Sequence, residues 1–149
     1  MARFVFRLAA LLKYRESLRD RCRQALAQLL QQDAALAHEQ QRITDERQHQ
    51  LNEMQTEQFL ERIAIDKLAS RRYHSGQLSA EIQRVVMQRQ EVAKQLSLCR
   101  QALVKADQGV KVLEKLSERQ LTEFLQAEDR KEARNLEEAW SAGRFGEVS

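Results

Sequence analysis

Apolar residues recur along this chain at steps that alternate three and four. Between residues 82 and 113 they fall at Ile82, Val85, Val92, Leu96, Cys99, Leu103, Ala106, Val110 and Leu113, with Arg89 as a polar interruption. An earlier run keeps the same rhythm through Leu11, Arg15, Leu18, Cys22, Ala25, Leu29, Gln32, Leu36, Glu39 and Ile43. This is heptad spacing, and it makes a narrow stripe that suits one partner helix rather than a core closed on several sides. The spacing predicts a first helix over about 4–57 and a second, longer one over about 67–140, whose seam continues to Leu116 and Phe124. The rhythm is lost over QFLERIAIDK, where Phe59, Leu60, Ile63 and Ile65 share no stripe, so the chain is expected to reverse at 58–66. Asp66 is the expected N-cap of the second helix. The YHSG segment at 73–76 is a second candidate break, but a lone glycine interrupts a helix only mildly. Gly143 and Gly146 mark the end, leaving 141–149 as a frayed tail. The predicted fold is all-α, one domain, a long antiparallel two-helix coiled-coil hairpin.

The two seams can be laid against each other. In an antiparallel pair each core layer joins a d-type position to an a-type one. With Leu11 as d and Ile82 as a, partners have residue numbers summing to 121: Leu11 with Val110, Leu18 with Leu103, Cys22 with Cys99, Leu29 with Val92, Leu36 with Val85 and Ile43 with Leu78. Polar Gln32 then meets polar Arg89. A slip of one heptad gives sums of 128, pairs Glu39 with Arg89, and sets Arg15 against Leu113 and Gln32 against Leu96. The first register is preferred because it matches polar with polar.

Composition agrees with long helices. There is no proline, there are four glycines, and the common residues are good helix formers. Charged residues make up 32% with both signs interspersed, as on solvated helix faces. The net charge of +3 is small and its bases lie beside acids, so no nucleic-acid surface is expected. Cys22 and Cys99 read as buried small hydrophobes, and neither has a second ligand at zinc spacing. His38 and His49 share a face but lie roughly 16 Å apart, too far to share a metal. The opening MARFVFRLAALLKYR is not read as a signal peptide, because Arg7 interrupts its apolar run and no small-residue cleavage site follows. No stretch approaches the roughly 20 apolar residues of a membrane span. Phe4, Leu8, Leu11 and Leu12 lie on one side between Arg3, Arg7 and Arg15, a pattern for peripheral membrane contact at most. There is no glycine-rich phosphate loop, no histidine beside a nucleophile and no carboxylate pair in a cleft. No catalytic residue, cofactor or metal is expected, and the chain does not read as an enzyme.

Three segments together resemble the FliJ family, the stalk protein of bacterial flagellar type III export. The first is Phe4-Val5-Phe6-Arg7-Leu8 with Leu11-Leu12 and Arg15-Glu16. The second is Tyr73 followed by Leu78 and Ile82. The third runs from Leu113-Glu114-Lys115-Leu116-Ser117-Glu118-Arg119 through Phe124, Glu128, Arg130 and Glu132 to Leu136-Glu137-Glu138. The chain departs from the family where Glu137 stands in place of its usual aspartate.

The resemblance implies an antiparallel hairpin similar to the central shaft of rotary ATPases. Such proteins sit in or under the hexameric ring of the export ATPase, promote its assembly, and contact the membrane-embedded export gate and the export chaperones. The resemblance places the ATPase end at Phe4, Phe6, Leu8, Leu12, Arg15, Leu113, Glu114, Leu116, Arg119, Phe124 and Glu128, and the gate surface at Tyr73 and Leu78. It implies a cytoplasmic protein, peripheral at the inner face of the cell membrane. The stalk of a related injectisome-type secretion system and a generic homodimeric coiled-coil adaptor are the alternative readings.

Overall fold

A computed structural model of the chain describes residues 2–59 and 65–148. They form two helices, α1 (Ala9–Phe59) and α2 (Ile65–Val148), with no strand among the described residues. Contacts that climb α1 descend α2: Arg15 meets Gly109, Cys22 meets Cys99, Asp33 meets Arg89 and Glu53 meets Arg71. The helices are therefore antiparallel, and the fold is the all-α two-helix hairpin that the heptads predict.

The helix ends differ from the expected ones for local reasons. Residues 2–8 precede α1 instead of opening it. The Phe6 carbonyl accepts from the Ala9 N–H at 3.2 Å and the Leu8 carbonyl from the Leu12 N–H at 2.9 Å, which starts the helix ladder. Asp66 lies inside the first turn of α2 rather than at its cap. There its carboxylate still faces the positive end of the helix dipole. The expected tail is helical as far as Val148. Gly143 and Gly146 each cost about 1 kcal/mol relative to alanine but remove no hydrogen bond, and no proline follows to end the helix. Of the reversal expected at 58–66, residues 60–64 lie outside the described residues, and the positions on either side are helical.

Internal contacts divide the chain into two compact units, Arg21–Leu103 and Met1–Asp20 with Val104–Ser149. In the first, Ile43, Leu78 and Val85 form a buried cluster with Leu36 and Ile82 packed against it. Val92 and Leu96 are buried further along α2. On α1 the inward positions are Cys22, Leu26, Leu29, Asp33, Leu36, Gln40 and Ile43. Ala25 and Gln32, expected in the seam, are exposed. One set of the predicted heptad positions thus faces α2, and the other is displaced by one residue toward the C-terminus.

The cause of the displacement is visible. Leu26 buries more apolar area than Ala25. Asp33 turns inward because Arg89 offers it a partner: Arg89 Nε donates to Asp33 Oδ1 at 3.2 Å, and its Nη1 donates to Gln40 Oε1 at 3.1 Å. Gln32 is therefore not the partner of Arg89. With Cys22, Leu29, Leu36 and Ile43 now in d-type positions, layer partners sum to 125, between the two registers read from spacing. Ile43 lies opposite Ile82, flanked by Leu78 and Val85. Cys22 and Cys99 fall in neighbouring layers rather than one, the Cys99 thiol donating to the Cys22 carbonyl oxygen at 3.6 Å. Both cysteines are free.

In the second unit Val110 and Leu113 are buried. Arg15 takes an inward position and its Nη1 donates to the Gly109 carbonyl oxygen at 3.1 Å. Gly109 leaves its side of α2 low, and the Arg15 stem lies over it: a Cβ there would sit 3.5 Å from Arg15 Cδ. Before α1 begins, the Phe4 ring packs on Phe124, with centroids 5.6 Å apart and planes tilted by 48°. Beyond Glu128 the cover ends, and every residue of α2 from 129 to 144 is exposed.

Candidate partner-binding surfaces

A two-helix hairpin presents outer helix faces rather than a cleft. Among the described residues no group of His, Cys, Asp and Glu is arranged to hold a metal ion, and no helix is long and apolar enough to cross a membrane. Open grooves flank the Arg89 layer, one lined by Asp33, Gln40, Val86 and Leu96, the other by Leu36, Gln88 and Val92. They are the ordinary grooves of a coiled coil where a polar layer spreads the helices.

The residues placed at one end by the family resemblance divide into three kinds. Leu113 is only 4% exposed and belongs to the core. Phe4, Phe6, Leu12, Arg15, Leu116, Phe124 and Glu128 are half-buried, each offering one side to the hairpin and one to solvent. Leu8, Glu114 and Arg119 are exposed, and Arg119 pairs with Glu123 at 3.4 Å on its own helix. In the same unit the apolar side chains Val5, Leu11, Tyr14, Leu121 and Leu125 are exposed as well.

In the Arg21–Leu103 unit, Tyr73 and Leu78 also part company. Tyr73 is 70% exposed, whereas Leu78, at 5%, is buried against Ile43 and Val85. A partner at this level would meet the tyrosine ring, and Leu78 would support it only from within. Close by, Arg71 clasps α1. Its Nη1 donates to Glu53 Oε2 at 2.8 Å and its Nη2 to Glu57 Oε1, with Lys67 Nζ 3.9 Å from the same Glu57 oxygen. The hydrogen bond from Arg71 holds the Glu53 carboxyl below the ordinary carboxylate range. His49 Nε2 adds a contact to Glu53 at 2.9 Å, and His74 Nε2 lies 3.6 Å from Glu46. Glu39, read from spacing as a seam residue, bonds instead to Arg42 on its own helix at 2.8 Å, and that hydrogen bond lowers its carboxyl likewise.

The family profile described as Flagellar FliJ protein matches residues 4–146. The chain belongs to the FliJ family. It is thus a component associated with the flagellar export apparatus, and both surfaces above lie within the matched span. No curated protein and no solved structure matches the chain.

Spacing alone missed two features. Leu26, Asp33 and Gln40 were masked by neighbours of similar polarity. Trp140 lies beyond the last residues of the recognised FliJ segments; it is 67% exposed, with the Arg144 guanidinium 5.1 Å above its ring. A tryptophan following Leu136 by four residues was the signal available for it.

Proposed function

We propose that this chain is the non-catalytic stalk of flagellar protein export. It promotes assembly and activity of the export ATPase ring and links that ring to the export gate and to substrate chaperones. It acts in the cytoplasm, peripheral to the inner face of the cell membrane. The observation that carries this reading is the family match over residues 4–146 on a chain folded as a two-helix hairpin. The ATPase end is assigned to the half-buried and exposed residues around Phe4, Leu8, Leu116 and Phe124, with Leu113 beneath them. The gate surface is assigned to Tyr73.

A hairpin is suited to this work because its core residues are spent inside the pair and its outer faces are free for partners. The chemistry of ATP hydrolysis then belongs to the ring alone. The deciding experiment measures ring assembly and ATP hydrolysis by the export ATPase with and without this chain. Both should rise on addition; no change in either, with both proteins folded, removes the stalk reading. Leu8→Asp and Leu116→Asp sharpen it. Binding to the ATPase should fall while the melting temperature holds for Leu8, which faces solvent. A parallel loss of both would reduce these residues to hairpin packing.

A further inference from the structure

Two patches in the unit Met1–Asp20 with Val104–Ser149 expose apolar side chains, one bordered by bases and the other mostly by acids. The first surrounds the start of α1: Val5, Leu8, Leu11 and Tyr14 are exposed, beside the exposed bases Arg3, Arg7 and Lys13. The second lies on α2 beyond its cover, where Leu136 is 71% and Trp140 67% exposed. Helical spacing puts Asp129 and Glu132 seven and four residues before Leu136, and Glu137 three before Trp140, so three acids border this stripe, with Arg144 over the Trp140 ring and Arg130 on its flank as the bases beside them. Lys131 and Arg134, five and two residues before Leu136, fall on the other side of the helix.

The 16 residues from 129 to 144 are exposed all round and gain nothing from packing within the chain. A tryptophan and a leucine four residues apart, framed by charge, have the composition of an interface anchor. We propose that the occupant of each patch is the other patch on a second copy of this chain. The two copies would meet about a two-fold axis, the α2 extension of each lying along the lead-in and first turns of α1 of its partner. Two-fold pairing uses both contacts at once, as an isologous interface must. It places Leu136 and Trp140 of one chain against exposed apolar residues of the other, and sets acids against Arg3, Arg7 and Lys13. The dimer would cover the same residues that the proposed function assigns to the ATPase, so self-association and ring binding would compete. The inference itself stands on the chain alone and is tested without the ATPase.

The test is the mass of the purified full chain by light scattering and sedimentation, from about 1 to about 100 µM at low salt, the range in which a small polar-rimmed interface holds. A dimer that weakens with salt is expected. Arg3→Glu with Arg7→Glu should give a monomer, as should Glu132→Lys with Glu137→Lys, each with unchanged helicity by circular dichroism. Mixing the two variants should restore a heterodimer, because each reversed patch then finds its complement. A wild-type chain that stays monomeric throughout overturns the proposal, as does a dimer indifferent to both reversals or a mixture that fails to pair. A monomer that instead binds anionic phospholipid vesicles through the basic patch would overturn it in favour of a lipid surface.

Discussion

Ile43 and Leu136 are both large aliphatic residues inside long helices, yet one is 1% and the other 71% exposed. The difference lies in what is opposite them. In the Arg21–Leu103 unit, Ile43 enters a pocket made by Leu78, Ile82 and Val85 of the facing helix. In the other unit, α2 continues past Glu128 with every residue from 129 to 144 exposed, Leu136 among them. A heptad stripe therefore stabilises only where a second stripe meets it. Where none does, an apolar side chain on the helix stays in solvent.

Truncation should show that contrast most strongly. Ile43→Ala removes a side chain whose pocket cannot collapse fully, and we expect a loss of about 2–5 kcal/mol in urea unfolding. Leu136→Ala should stay within about 0.5 kcal/mol under the same conditions. Equal losses would mean that Leu136 is covered in solution, and at high protein concentration that result would point to the self-association above.

The next effect is electrostatic and belongs to the Arg21–Leu103 unit alone. Arg71→Ala takes the guanidinium from Glu53 and Glu57 and leaves them His49 and Lys67; one oxygen, Glu57 Oε2, is buried without a hydrogen-bond partner already. We expect a lower melting temperature at neutral pH. Its pH dependence has a definite sign. The folded Glu53 titrates below its ordinary value of 4.5, so the stabilisation is fully present above that value and is lost as pH falls through the depressed one. The gap in melting temperature between wild type and Arg71→Ala should therefore narrow in acid, while a gap that stays constant down to the acid transition would exclude the clasp as its source.

A smaller effect, opposite in direction, is expected in the second unit. Gly109→Ala places its Cβ at ordinary contact distance from Arg15 Cδ and relieves a glycine inside a helix. The variant should be more stable by about 0.5–1 kcal/mol. Gly76, with nothing within 4 Å of an added Cβ, is the control. A gain at Gly76 with a loss at Gly109 would show that Arg15 needs the bare backbone for its hydrogen bond.

The subtlest test concerns register and reads a rate. Layer partners that sum to 125 put Cys99 opposite Leu26. A Leu26→Cys, Cys22→Ser chain should form its intramolecular disulfide faster on mild oxidation than the native pair, which sits in neighbouring layers. Faster closure of the native pair would restore the register summing to 121.

Much of this molecule was legible before any coordinates. Alternating steps of three and four, the absence of proline and the loss of rhythm after residue 58 were enough for two helices and an antiparallel hairpin, because heptad periodicity and helix breaking act locally along the chain. The segments around Phe4, Tyr73 and Leu113 were enough for the family. The α2 seam was equally plain, since Val85, Val92, Leu96, Val110 and Leu113 are the large apolar residues at their positions. The phase of α1 was not. At Ala25 and Leu26 both neighbours are apolar, at Gln32 and Asp33 both are polar, and at Glu39 and Gln40 again both are polar, so spacing had no contrast on which to choose. That choice fell to α2: Arg89, reaching across to Asp33 and Gln40, supplies the partner that makes two inward polar residues tolerable, and the layers move with them. The fates of Leu78 and Leu113 were settled in the same way. A leucine at a heptad position can anchor a core or a partner, and only the helix lying opposite decides which.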